Sequence, residues 1–185
     1  MSITLAAVFL GVFCVLGAFD GLYFHMIKFK LHLRPQSRTE HLIHTARAFF
    51  FVPIALLFFA FDTRGSLLVF GLFLVLCDLA LEVVDILIEK ESRRSLGGIS
   101  STECAVHVFA SSFRMAALAF VMSTKPEGAF VVGPTASIVD MYPLELSVIG
   151  LGFAFFSLAG GVISLVAMKK KPRTLRENVL QFERA

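Results

Sequence analysis

An all-α, polytopic integral membrane protein is the fold class this chain predicts, and three observations carry it. The 185 residues are 57% hydrophobic with a mean hydropathy of +0.81. The apolar residues fall into about five runs, each long enough to cross a bilayer. Short polar segments rich in Lys and Arg separate those runs unevenly. A net charge of +3 over such a chain is not a nucleic-acid signal, because the basic residues sit in short connectors and a tail. Residues 1–168 read as one transmembrane domain and 169–185 as a cytoplasmic basic tail that can form a short amphipathic helix at the surface.

Span one covers about 3–27. Its start lacks the positive region of a secretory signal, and Gly17 and Gly21 form a GxxxG pair that suits close helix approach. A basic connector follows, with Lys28, Lys30, Arg34, Arg38 and a Pro35 break. Span two covers about 40–61, with Ser37 or Thr39 as its cap and a kink expected at Pro53. Asp62-Thr63-Arg64-Gly65 reads as a tight turn. Span three, about 66–89, ends in a second connector with Lys90, Arg93, Arg94 and the Gly97-Gly98 break. Span four covers about 101–123, capped by Ser100 or Ser101 with Glu103 in its first turn. The longest loop, 124–143, carries apolar pieces that place it at the membrane interface. Span five covers about 144–168 and carries no charge after Glu145 until the tail. The three cysteines read as small buried hydrophobes.

Thirteen of the 17 basic residues lie in the connectors after spans one and three and in the tail. The positive-inside rule therefore puts the N-terminus outside and the tail in the cytoplasm. Short loops and compactness point to a bacterial inner (plasma) membrane.

Ionisable residues inside the spans are costly and mark function or pairing. Asp78, Glu82, Asp85 and Glu89 recur at helical spacing on one face of span three. Glu103, His107, Ser111 and Arg114 form a similar stripe on span four. Counting about 1.5 Å per residue from the cytoplasmic ends brings Asp20, Arg47, Glu82 and His107 to one depth, with His44 and Asp85 just outside it. Spans one to four thus enclose a polar cavity on the cytoplasmic side, with span five outside it as packing or an oligomer face.

Seven acids (Asp20, Glu40, Asp78, Glu82, Asp85, Glu89, Glu103) face only Arg47 and Arg114 as fixed cations. Carboxylates with imidazoles suit Zn²⁺, Fe²⁺ or Mn²⁺. The metal-ligand set is His44, His107, Glu82, Asp85, Asp20, Asp78, Glu103 and Glu40, with Arg47 and Arg114 as counter-ions beside it. Glu40-x3-His44 and Glu103-x3-His107 each place an acid and an imidazole on one helix face, one residue longer than the Glu-x-x-His spacing of carboxylate-bridged two-metal bundles. Glu40, His41, His25 and Glu89, close to the surface, read rather as solvated interface residues.

The functional expectation is a membrane metalloprotein, in its sharpest form an enzyme on a lipid-like substrate. Its competitors are a proton- or cation-coupled transport subunit and a structural protein whose polar groups only specify packing. Haem held by His44 and His107 is disfavoured by the surrounding carboxylates. The partners expected are the bilayer and a second copy of the chain, through span five or Gly17/Gly21.

Overall fold

The computed structural model describes residues 1–94, 97–133 and 137–169. Five helices carry the chain: α1 (Ser2–Phe19), α2 (Arg38–Ala55), α3 (Ser66–Ser92), α4 (Ser101–Met122) and α5 (Leu144–Lys169). Two of them run on as π-helix, α1 through Asp20–Lys28 and α2 through Leu56–Ala60. With these extensions all five are long and apolar enough to cross a membrane. The sequence-based bounds agree with theirs to within a few residues, because capping and apolar length set both. Ser100 accepts a hydrogen bond from the Glu103 amide at 3.2 Å, the expected cap of α4. Ser37 precedes α2 as expected but makes no side-chain capping bond. The amphipathic helix expected beyond Lys169 lies outside the described residues.

Pro53 sits inside α2 without ending it. Proline cannot donate to the turn before it, and the helix widens to π a few residues later. Thr63 donates from Oγ1 to the Leu57 carbonyl at 2.7 Å, giving that widened turn a partner from beyond the helix.

Residues 62–65, read as a tight turn, instead belong largely to a strand. Strand β1 (Phe61–Arg64) pairs antiparallel with β2 (Ser137–Met141), with a bulge between Asp62 and Thr63. The partner strand lies far away in sequence, so local turn chemistry could not reveal the pairing. The turn itself is confined to Gly65, whose φ of 62° suits a residue without Cβ. The long loop is fastened to the same end of the bundle. Gly65 donates to the Ala129 carbonyl at 2.8 Å, Ser66 Oγ to Gly133 at 2.9 Å, and the Tyr142 amide to Ala60 at 3.1 Å.

At the end capped by the β1–β2 strand pair the interior is predominantly apolar, built on Ala6, Leu10, Phe58, Phe59, Leu68 and Val121. Helix α5 lies against α2, its π-helical extension and α1. Gly150 makes the closest of these approaches, since a Cβ there would meet the Phe59 backbone at 2.7 Å. Span five is thus packed into the bundle rather than apart from it. Helix α4 lies against α1, and α3 against α2. The outward faces are also apolar, with Phe73 and Leu76 on α3 and Phe155 and Phe156 on α5 exposed. Helices apolar inside and out suit a lipid environment. The cysteines are free; Cys104 is exposed and Cys14 and Cys77 are only partly covered.

Candidate metal centre

The polar residues gather at the other end of the bundle, in three layers. Deepest is a quartet. Arg47 on α2 donates from Nε to Asp78 Oδ1 at 2.9 Å and reaches Glu82 Oε2 at 3.1 Å. Arg114 on α4 bonds both Asp78 and Glu82, and Ser111 donates to Glu82. Both guanidinium groups lie over the Phe51 ring, at 5.6 and 5.4 Å from its centroid. Two arginines match two carboxylates here, so the layer is neutral in itself. Asp78 is fully buried and both its oxygens are engaged.

Near the connectors lies a second closed set. Arg93 is fully buried. It donates to Glu40 Oε1 from Nε at 3.0 Å, and its Nη2 lies 2.8 Å from Glu40 and 2.8 Å from Glu103. Ser92 donates to the other Glu40 oxygen. The Phe29 ring covers the guanidinium at 4.4 Å. One side chain thus joins α2, the end of α3 and α4. Arg93 was expected in a surface connector. The readable signal was the stripe itself, because α3 continues past Glu89 and Arg93 follows it by four residues.

Between these sets stand the histidines. His107 Nε2 lies 2.9 Å from Asp20 Oδ1, and His25 Nε2 lies 3.5 Å from Asp20 Oδ2. On its other side His107 presents Nδ1 to Glu89 at 3.6 Å. His44 Nε2 lies 3.0 Å from Asp85 Oδ2, off the direction of a hydrogen bond, and its ring is 4.1 Å from that of His25. His41 sits apart, with Nε2 3.4 Å from the Ser164 carbonyl on α5.

His25, His41 and Glu89, read as solvated, are all buried. For His25 the reason is backbone geometry. An α-helix puts residues five apart about 140° around its axis, so Asp20 and His25 would diverge. The π-helical bonds over Asp20–Lys28 run five residues back and stack His25 over Asp20.

Three groups of side chains have ligand atoms within 4.8 Å of one another: Asp20, His25 and His107; His25, Glu40 and His44; Glu89, Glu103 and His107. Five of the eight residues expected as ligands occur in them: His44, His107, Asp20, Glu103 and Glu40. Asp78, Glu82 and Asp85 do not. The first two are held in the arginine quartet, and Asp85 faces His44.

The three groups are not chemically equal. Glu40 is saturated by Arg93 and Ser92, which leaves its group short of a free carboxylate. Asp20, His25 and His107 contain no arginine contact. Asp20 stands between the two imidazoles, with Oδ1 2.9 Å from His107 Nε2 and Oδ2 3.5 Å from His25 Nε2. Glu89 lies on the Nδ1 side of His107 at 3.6 Å, the side on which a carboxylate supports a ligating histidine. Buried atoms without a hydrogen bond also concentrate here: His25 Nε2, His44 Nε2, Asp85 Oδ1, Glu89 Oε1 and Glu103 Oε2. Seven carboxylates meet three arginines in this end of the bundle, so the remaining charge falls to three histidines or to a bound cation.

Comparison with known proteins returns no match: no family model fits the chain, and no curated protein or solved structure is significantly similar. The functional reading therefore rests on the chain's own residues.

Proposed function

We propose that this chain is a multi-pass membrane metalloprotein whose Zn, Fe or Mn centre is held by Asp20, His25 and His107. The observation that carries this reading is the convergence of those three ligand atoms, with Glu89 seated behind His107. Glu103 and His44 are the adjoining donors, and Asp85 orients His44. Three protein ligands leave a position open for water or substrate, the pattern of a catalytic rather than a structural site. A metal there would supply Lewis acidity and an activated water, and iron could in addition handle O₂. His44 and Asp85 stand beside it as an imidazole and a carboxylate 3.0 Å apart, the groups nearest to hand for exchanging a proton with a bound water. The site lies within the apolar length of the spans, so a lipid-like substrate suits it. The uneven basic residues favour a cell inner membrane location with the N-terminus outside and this site on the cytoplasmic side. Gly17 and Gly21 have almost nothing near them within the chain, which supports their use as a contact between copies.

Metal analysis of the detergent-purified protein tests the reading. Stoichiometric Zn, Fe or Mn is expected, lost in His107→Ala and His25→Ala and retained in Glu82→Gln. Protein without metal, or with metal indifferent to His107→Ala, would sink it. That result would favour the packing-only reading, which the ion pairs of Arg47 and Arg93 across the helices support.

A further inference from the structure

The helices follow one another around the bundle as α3, α2, α5, α1 and α4, each lying against the next. The ring is not closed in the same way. Helices α3 and α4 make no comparable backbone approach to each other. What joins them is a row of polar side chains: Ser111 and Arg114 to Glu82, Arg114 to Asp78, and Arg93 from the end of α3 to Glu103. A seam held by long side chains leaves space between backbones that an apolar interface would fill.

The seam is open to the outside of the bundle. Glu82 on one side and His107 on the other keep 15% and 25% of their side chains exposed, although both lie well within the spans. Next to this polar stripe the helices carry exposed apolar residues, Ile86 on α3 and Val108 on α4. Behind them wait buried carboxylate oxygens with no hydrogen-bond donor: Asp85 Oδ1 and Glu103 Oε2, on residues 4% and 0% exposed. A ligand matched to this arrangement is apolar along most of its length and carries hydrogen-bond donors at its polar end.

We propose that the seam between α3 and α4 is a lateral entry through which an amphiphile with a donor-bearing headgroup, an amine or a hydroxyl, reaches the histidine centre from the bilayer. This names the substrate class and route for the site proposed above and rests on that reading. Glu82 lies about 15 Å along α3 from its Ser92 end. A lipid headgroup lying at the surface cannot touch it, so contact there reports entry.

The experiment uses the full-length protein in nanodiscs containing a phospholipid with a photoactivatable diazirine on an ethanolamine headgroup, and a second preparation with a glycerol headgroup. Labelled residues are mapped by peptide mass spectrometry, and metal content is measured on the same samples. The exposed Glu91, at the connector end of α3, reports ordinary headgroup contact. Labelling of Glu82 or Asp85 as well as Glu91 is expected, with the more strongly labelling headgroup identifying the donor. A Ser111→Trp plug should reduce seam labelling at least tenfold while sparing Glu91. Labelling confined to Glu91 in the wild-type protein overturns the proposal, and so does seam labelling undiminished in a folded Ser111→Trp protein. Where that variant does not fold, the wild-type map decides. A labelled seam in protein without metal would retain the entry route and discard the metal centre; a metal-loaded protein with an unlabelled seam would do the reverse.

Discussion

At the residue scale, Arg93 carries more of the architecture than any other single side chain at the polar end. It answers Glu40 on α2 and Glu103 on α4 at once, and both acids are fully buried. Removing one member of a buried ionic set leaves the others charged and unpaired, which costs about 3–5 kcal/mol. Arg93→Met should therefore lower the unfolding midpoint in detergent sharply. Arg93→Lys should recover only part of the loss, because one ammonium cannot reproduce the fork that spans two carboxylates. A thermal shift series on the two variants checks this, and a midpoint unchanged in Arg93→Met would remove Arg93 from that role. His107 differs in kind: its two nitrogens face Asp20 and Glu89, so its substitution is expected to empty the site more than to unfold the bundle.

At the element scale, the β1–β2 strand pair closes the apolar end, and its charge pairing makes it acid-sensitive. Asp62 accepts from Lys125 at 2.6 Å and from Arg64 at 3.1 Å. Partial burial works against the Asp62 charge, but those two cations outweigh it and hold its pKa below the usual carboxylate value. Lys125 is itself pushed below the ordinary lysine range, by burial first. Burial also raises the Tyr142 phenol, whose ring lies 5.2 Å from the Lys125 ammonium. A carboxylate with a depressed folded pKa adds stability that is present above its unfolded pKa and is lost as pH falls through the folded one. Hydrogen exchange at the β1 and β2 amides should therefore speed up as pH drops below the ordinary carboxylate range, once the intrinsic exchange rate is divided out. Asp62→Asn should exchange faster at neutral pH and lose that acid dependence. An acid dependence surviving in Asp62→Asn would assign the effect to another group.

At the scale of the whole molecule, the bundle is polarised along its length. One end has a hydrophobic interior under a strand pair; the other holds the arginine sets with the histidines between them. The exposed Lys28, Lys30 and Arg38 flank the histidine end. Cysteine-accessibility mapping in sealed inner-membrane vesicles gives the expected orientation a direct reading. Arg38→Cys should react only with reagent on the cytoplasmic side, and Glu127→Cys, in the loop at the strand-pair end, only with reagent on the other. The reverse pattern would invert the topology and put the histidine site on the outer face.

Five apolar runs, their approximate ends and the Ser100 cap of α4 were legible in the sequence, because span length and N-capping are local properties. So was the gathering of Asp20, His44, Glu82, Asp85 and His107 towards one end of the helices, since helical rise alone sets depth, although Glu82 lies a layer deeper than the histidines. Pairing across helices was not legible. Asp78 and Glu82 looked as available as Asp20, yet Arg47 and Arg114 occupy them, and only the rotation of α2 and α4 about their axes decides that. His25 joined the site through a change of helical register that no spacing rule anticipates. Arg93 moved from an expected surface connector into the centre because α3 runs one turn further than its apolar stretch. The sequence by itself determined that the polar residues share one end of a five-helix bundle. Which of them hold one another, and which three are left facing a common point, was settled by helix rotation and register, which depend on packing partners distant in the chain.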